Sequence, residues 1–264
     1  MDMVSGLEEA IRKAGGVGAL AQALGLTQPS VSAWHSIPAE HVLEVEALTG
    51  IARTVLRPDL YPEAGGSAAE IDEVDMARAQ EYALLGSLLL RAPDADTLAQ
   101  LSGLQGTDTP LGAAHIALRQ AASTASPEAL RREYFDLFEG VGRGELLPYA
   151  SYYLTGFLNE RPLARLRGDL RLLGLERAED HCDPEDHLGT LCEIMSGLAG
   201  GRFTASPDEE REFFGQHVAP WAGHFFADLE KAQSARFYRA VGTVGRVFID
   251  IEAEGFAMES RRSA

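Results

Sequence analysis

The chain has 264 residues, 45% of them hydrophobic and 24% charged, with a net charge of −17. These proportions fit an ordinary globular protein of one large or two unequal domains, each able to bury a core without staples. The acidity repels nucleic acid and attracts basic segments of other chains, and the longest strongly apolar run, Tyr82 to Leu90, is about half the roughly 20 residues that a membrane span needs, so membrane insertion is not expected.

Met1 to Glu9 shows no basic segment followed by an apolar stretch, so no secretory signal is read there. The only cysteines, Cys182 and Cys192, belong to no paired framework. The expected compartment is the cytoplasm, with both thiols reduced. Residues 1–62 form a first unit ending in Arg57-Pro-Asp-Leu-Tyr-Pro62, and the small residues of Glu63-Ala-Gly-Gly-Ser-Ala-Ala-Glu70 mark 63–72 as a linker.

Within the first unit, Ala19 to Trp34 has the spacing of a helix-turn-helix. Leu20, Ala21, Leu24, Val31 and Trp34 would pack the two helices, Gly25 would make the turn, and Thr27 or Gln28 would open the recognition helix. The stretch, with Ile37-Pro-Ala-Glu40 and Leu56-Arg-Pro-Asp-Leu-Tyr61 after it, resembles the Cro/YdaS-like DNA-binding domains. The charge pattern argues against DNA binding, because no Lys or Arg occurs from Ala14 through Ala52 and the unit carries four basic against seven acidic groups. Gln28, Ser30, Ser32 and His35 are the side chains that would meet DNA; the alternative is a module that docks another protein.

After residue 72 the sequence reads as helix throughout. Met76, Ala79, Tyr82, Leu85 and Leu89 recur at helical spacing until Ala92-Pro-Asp94, and further helices are expected over 95–101, 110–122, 127–139, 162–173, 184–198, 207–218, 220–232 and 235–257. Several open with Pro, whose missing N–H costs nothing in the first turn. No period-two run suggests a strand, so the expected class is all-α: a helix-turn-helix unit followed by a bundle over 73–257, with 258–264 as a C-terminal tail.

Three blocks of the bundle concentrate aromatics, Pro and Gly. Tyr134, Leu137 and Phe138 share one helix face, and Gly140, Gly142 and Gly144 then break the helix. Pro148-Tyr-Ala-Ser-Tyr-Tyr153 offers three phenol rings in five residues, apolar area with a hydrogen-bonding tip. In Asp183-Pro-Glu-Asp-His187, Asp183 would cap a helix, Pro184 would sit at its first position, and Glu185 and Asp186 would complement the dipole. A metal site from His181, His187 and Cys192 matches no familiar ligand spacing, and a carboxylate–histidine hydrolase lacks a nucleophile. Together the blocks suggest an apolar groove edged by a few polar groups, which suits a polypeptide partner. Phe213, Phe214, His217, Trp221, Phe225 and Phe226 read as packing between helices, with His217 and His224 as interface histidines.

Tyr134-x-x-Leu-Phe-x-Gly140, Pro148-Tyr-x-Ser-x-Tyr153 and Pro184-x-Asp-His187, in this order on a helical chain, resemble the TorD/DmsD family of cytoplasmic redox-enzyme maturation chaperones. The resemblance implies a non-enzymatic protein that holds the twin-arginine signal peptide and apo form of a molybdenum-containing oxidoreductase, with a formate dehydrogenase as favoured client. It implies that Tyr134, Leu137 and Phe138 line the groove, that Pro148, Tyr149 and Ser151 form its rim, and that Pro184, Glu185, Asp186 and His187 make a polar hinge. Residues 63–264 carry 19 basic against 33 acidic groups, so carboxylates such as Glu185, Asp186 and Glu193 are available for the arginine pair. No cofactor is expected, and the sequence does not fix the oligomeric state. The rival reading is a transcriptional regulator whose bundle senses a peptide; no Gly-x-x-x-x-Gly-Lys-Ser/Thr loop supports a nucleotide hydrolase.

Overall fold

Glycine and threonine set the register of the first unit. Helices α1 (Gly6–Lys13) and α2 (Val17–Ala23) precede Gly25, whose φ of 68° only Gly adopts freely, and Thr27 then caps α3 (Gln28–Ser32) by accepting from the Ser30 N–H. A short turn, Ala39–His41, leads into α4 (Val42–Thr49), and α5 (Arg53–Leu56) closes against α1. A Cβ at Gly6 would lie 2.3 Å from the Val55 carbonyl oxygen, so the close approach of these two helices requires Gly there. Leu20, Ala21 and Val31 enter the core as expected, with Leu24 and Trp34 at its edge.

The structure, a computed structural model, describes residues 6–34, 36–57, 72–175 and 184–262. It separates into two compact units, Met1–Ser67 and Ala68–Ala264. The segment expected to be a linker lies outside the described residues except for Asp72, whose carboxylate accepts from the N–H groups of Val74 and Asp75 and so starts the next helix.

The second unit is built from α6 (Glu73–Leu90), α7 (Ala95–Leu101), α8 (Pro110–Thr124), α9 (Pro127–Tyr134), α10 (Ala150–Thr155), α11 (Arg161–Leu172), α12 (Leu188–Ala199), α13 (Pro207–Phe213), α14 (Ala222–Lys231) and α15 (Phe237–Arg262). Among the described residues there is no strand, only an isolated antiparallel bridge between Tyr149 and His187. The class is all-α. Helices α6 and α12 pack closely because Gly86 faces the Gly189 carbonyl, where a Cβ would sit 3.1 Å away. Tyr82, Leu85, Leu188, Met195, Trp221, Phe225 and Tyr238 are buried in one core that draws on α6, α12, α14 and α15. Each fully buried large side chain contributes about 1.5–3 kcal/mol.

Polar groups fasten this core. Arg78 binds Glu252 through Nε and Nη2 at 2.8 and 2.9 Å, Glu210 at 2.7 Å and Asp75 at 2.9 Å, tying α6 to α13 and α15. Glu133 accepts from the N–H groups of Arg236 and Tyr238, and Glu145 from those of Gln233 and Ser234, so two carboxylates hold the turn into α15.

The expected helices differ from the observed ones in three informative places. Helix α9 widens at Phe135–Glu139 into π geometry, with the Gly140 N–H bonded to the Phe135 carbonyl, and Phe214–Val218 does the same after α13. Residues 150–155, read only as an aromatic segment, form α10. The final helix continues through Arg262, so the tail expected over 258–264 is helical for most of its length.

Candidate functional site

Asp186 organises the region that the motifs single out. Its Oδ2 accepts from the Ser151 N–H at 2.8 Å and the Ser151 hydroxyl at 2.5 Å, which satisfies a donor at the start of α10. The backbone on both sides pairs as well: the Ala150 N–H donates to the Asp186 carbonyl and the Leu188 N–H to the Pro148 carbonyl. These bonds hold residues 186–188 extended against 148–150. A helix therefore cannot begin at Pro184 as the sequence suggested; it begins at Leu188, with His187 as its N-cap, while Asp183 lies outside the described residues.

His187 caps through its ring. Nδ1 accepts from the Gly189 N–H at 3.0 Å, which places the proton of the neutral ring on Nε2, and the Tyr149 ring meets the imidazole edge-on at 5.1 Å. A Cβ on Gly189 would come within 3.1 Å of Nδ1 and 2.6 Å of Leu90, so Gly is required. Among the described residues, the buried Asp186 Oδ1 has no hydrogen-bond partner. A buried carboxylate oxygen in that condition costs free energy until a donor reaches it.

The predicted residues fall into two groups. Leu137, Pro148, Ser151, Asp186 and His187 are buried, with Leu137 and Ser151 both 0% exposed. Leu137 is a core residue and Ser151 a bonding partner of Asp186; neither forms a groove wall or rim, because core packing in one case and capping in the other turn them inward. Tyr134, Phe138, Tyr149, Pro184 and Glu185 are partly exposed. Tyr134 donates to the Leu89 carbonyl and packs edge-on against Phe138, whose ring meets Tyr238 at 5.3 Å.

Glu185 does not stand open to a ligand. Arg167 holds it as a fork, Nε at 3.1 Å from both oxygens and Nη2 at 2.8 Å, and nothing in the sequence of α11 distinguishes Arg167 from its neighbouring arginines. Sequence reasoning also passed over Arg143, which donates to the Tyr152 hydroxyl at 2.7 Å and lies over its ring. Tyr153 donates to Asp228, and burial holds its phenol well above the ordinary range. On the far side of α11, Asp169 binds His217 Nε2 at 2.8 Å, while burial lowers the His217 pKa despite that carboxylate. His224, expected at an interface, is exposed.

Among the described residues no group of three or more His, Cys, Asp or Glu side chains is placed to hold a metal ion, and no helix is long and apolar enough to cross a membrane. His181 and Cys182 lie outside the described residues; Cys192 is buried, which raises its thiol pKa. In the first unit Gln28, Ser30 and Ser32 are exposed on α3, with the Ser30 hydroxyl 2.7 Å from Thr27 Oγ1, and His35 lies outside the described residues.

The second unit is thus a helical bundle in which a pinned Asp-His turn lies beside a row of tyrosines, and comparison with known proteins places chaperones among those it resembles. A family model described as nitrate reductase delta subunit matches residues 104–227, and one described as bacterial toxin YdaS matches residues 7–65. Chaperone protein TorD of Shewanella piezotolerans is 25% identical over 221 residues, covering 74% of this chain and 99% of that protein. TorD of Colwellia psychrerythraea is 24% identical over 71% of this chain and 95% of its own length. TorD of Vibrio cholerae is 26% identical over 46% of this chain and 59% of its own. A solved structure from Archaeoglobus fulgidus, described as a redox enzyme maturation protein, covers 65% of this chain and 93% of that one at 22% identity and a TM-score of 0.44. The second unit is thus similar to TorD chaperones over most of its length, and the first unit is similar to the YdaS model.

Proposed function

We propose that the protein is a maturation chaperone that holds the twin-arginine leader and apo form of a molybdenum-containing oxidoreductase, with Tyr149, Tyr152, Tyr153 and the turn 184–187 as the leader's contact surface. Asp186 carries this reading. One oxygen of its carboxylate fixes α10, and the other has no donor among the described residues of a chain whose net charge is −17. A guanidinium supplies such donors, and the half-exposed rings of Tyr149, Tyr152 and Tyr153 suit the apolar stretch that follows the arginines. Glu185 would join by exchanging Arg167 for a leader arginine, and Tyr134 with Phe138 would extend the apolar face. Formate dehydrogenase is the client to test first.

Isothermal titration with the twin-arginine leader of a formate dehydrogenase tests the assignment. Micromolar binding that Asp186→Asn and Tyr149→Ala each weaken about tenfold or more, about 1.4 kcal/mol, is the expected result. Leaders that bind both variants as well as the wild type would remove this surface from consideration.

The regulator reading draws on the exposure of Gln28 and Ser32 on α3. Against it, Arg53 pairs with Glu46 at 3.0 Å and Arg57 donates to the Ile37 carbonyl, so basic groups at the end of the first unit serve its own fold. A salt-sensitive shift of promoter DNA by the protein at micromolar concentration would revive it.

A further inference from the structure

A pocket of about 170 Å³ lies between α11 and α13 with the π turn that follows it. Asp169, Leu172 and Leu173 reach it from one face of α11 at i, i+3 and i+4, and Glu209, Glu212 and Phe213 reach it from one face of α13 at the same spacing. Sites for small molecules usually run to about 300–1,000 Å³, so this one has room for a single side chain. Its lining is mixed in the way a long basic side chain requires, with leucines and Phe213 for the stem and carboxylates for the head. Leu172, 86% exposed, adds apolar contact for the residue that flanks such a side chain.

The lining is acidic after its own pairings are counted. It holds three carboxylates, and among the described residues no Lys or Arg belongs to it. Each carboxylate has a neutral partner: Glu209 accepts from the Ser206 N–H and hydroxyl, Glu212 from the Gln216 amide at 2.7 Å, and Asp169 from His217, whose pKa burial lowers. Arg165, one turn before Asp169, acts on His217 from outside the lining and offsets one of the three charges. His217 gives a second and independent indication. The residue is 5% exposed, and its Nε2 lies 2.8 Å from Asp169 Oδ2, so the proton of the neutral ring is on Nε2. Nδ1 is then an acceptor with no hydrogen-bond partner among the described residues. Lys and Arg heads carry donors and no acceptor, which is the complement of this set.

We propose that this pocket takes one Lys or Arg side chain of a partner protein, its stem against Leu172, Leu173 and Phe213 and its head among Asp169, Glu212 and His217. Arg167, which holds Glu185, lies about 200° from Asp169 around α11, so the pocket is separate from the leader surface and the inference stands whether or not the leader binds there.

The test titrates the full-length protein with the probe acetyl-Leu-Arg amide at physiological salt and follows the Leu172 methyl and His217 imidazole signals by NMR. Saturable shifts at both residues are expected, with a Kd of about 1 mM. Glu212→Gln should weaken binding about threefold, as suits an exposed ion pair, and Asp169→Asn/Glu212→Gln about tenfold or more. A probe with citrulline in place of Arg keeps the shape without the charge and should bind the wild type about tenfold more weakly. That comparison needs no variant, so it holds even if the double variant fails to fold. Equal affinity for the two probes, or no shift at Leu172 and His217, overturns the proposal. Shifts confined to Tyr149 and Tyr152 also overturn it, since they would move the arginine to the leader surface. Putrescine binding more tightly than the Arg probe would give the pocket to a small amine instead and overturn the assignment to a protein partner.

Discussion

Asp186 Oδ2 receives both the backbone N–H and the hydroxyl of Ser151, at 2.8 and 2.5 Å, so a residue in the loop before α12 serves as the N-terminal acceptor of a helix 35 residues earlier. Capping across that separation binds α10 to the turn 184–187 and makes the two segments one rigid edge.

Asp186→Ala should lower the stability of the second unit by about 1–3 kcal/mol, because it strands two buried donors at once. Ser151→Ala should cost less, and the double variant should cost less than the sum of the two. Urea unfolding of the three variants measures this coupling; strict additivity would mean that the contact carries no energy.

Glu210 gives a pH signature. Burial holds its carboxyl above the ordinary carboxylate range, with Arg78 pulling the other way, so folding favours the protonated form. Its contribution to stability is then present at low pH and is lost as pH rises from the usual carboxylate value through the raised one. Relative to the wild type, Glu210→Gln should therefore gain stability steadily on going from pH 4 to pH 7. Parallel Tm profiles for the two proteins would contradict this.

His115 has the same sign of pH dependence, although here the favoured protonated form is the charged one. Its hydrogen bond to Glu81 raises the imidazole pKa, with burial opposing, so the protonated ring stabilises the fold below the ordinary histidine value and that contribution fades as pH rises through the shifted one. An NMR titration should find His115 ionising above the ordinary value in the wild type and lower in Glu81→Gln. An unchanged midpoint in the variant would show that the carboxylate is not the cause.

Two glycines of α15 should respond in opposite directions. At Gly245 a Cβ would lie 2.2 Å from the Phe226 ring, so Gly245→Ala should destabilise by about 1–3 kcal/mol through overpacking. At Gly255 nothing lies within 4 Å of the added carbon, and Gly255→Ala should stabilise by up to about 1 kcal/mol through helix propensity. Thermal melts of the pair check both signs.

The helices of the bundle were legible because their signals are local. Asp94, Thr109, Ser126 and Ser206 each accept an N–H at the start of a helix, three of those helices open with Pro, and the apolar spacing of α6 needs only its own residues. In the first unit Gly25 and Thr27 fixed the turn and the start of α3 in the same way. The Asp-His turn was misread for the complementary reason. Pro184, Glu185 and Asp186 satisfy every local rule for a helix start, yet pairing with residues 148–150 removes them from the helix.

The sequence by itself determined the all-α class, the position of most helices and the residues around which the candidate leader surface is built, since periodicity, caps and motif order are all properties of neighbouring residues. Tertiary structure alone decided what those residues do. It buried Leu137 and Ser151, committed Glu185 to Arg167, left Asp186 Oδ1 without a donor among the described residues and set Glu81 against His115 between helices. Each of these depends on which distant segments meet, and the free energy of such contacts comes from desolvation and pairing across the fold, which no local pattern encodes.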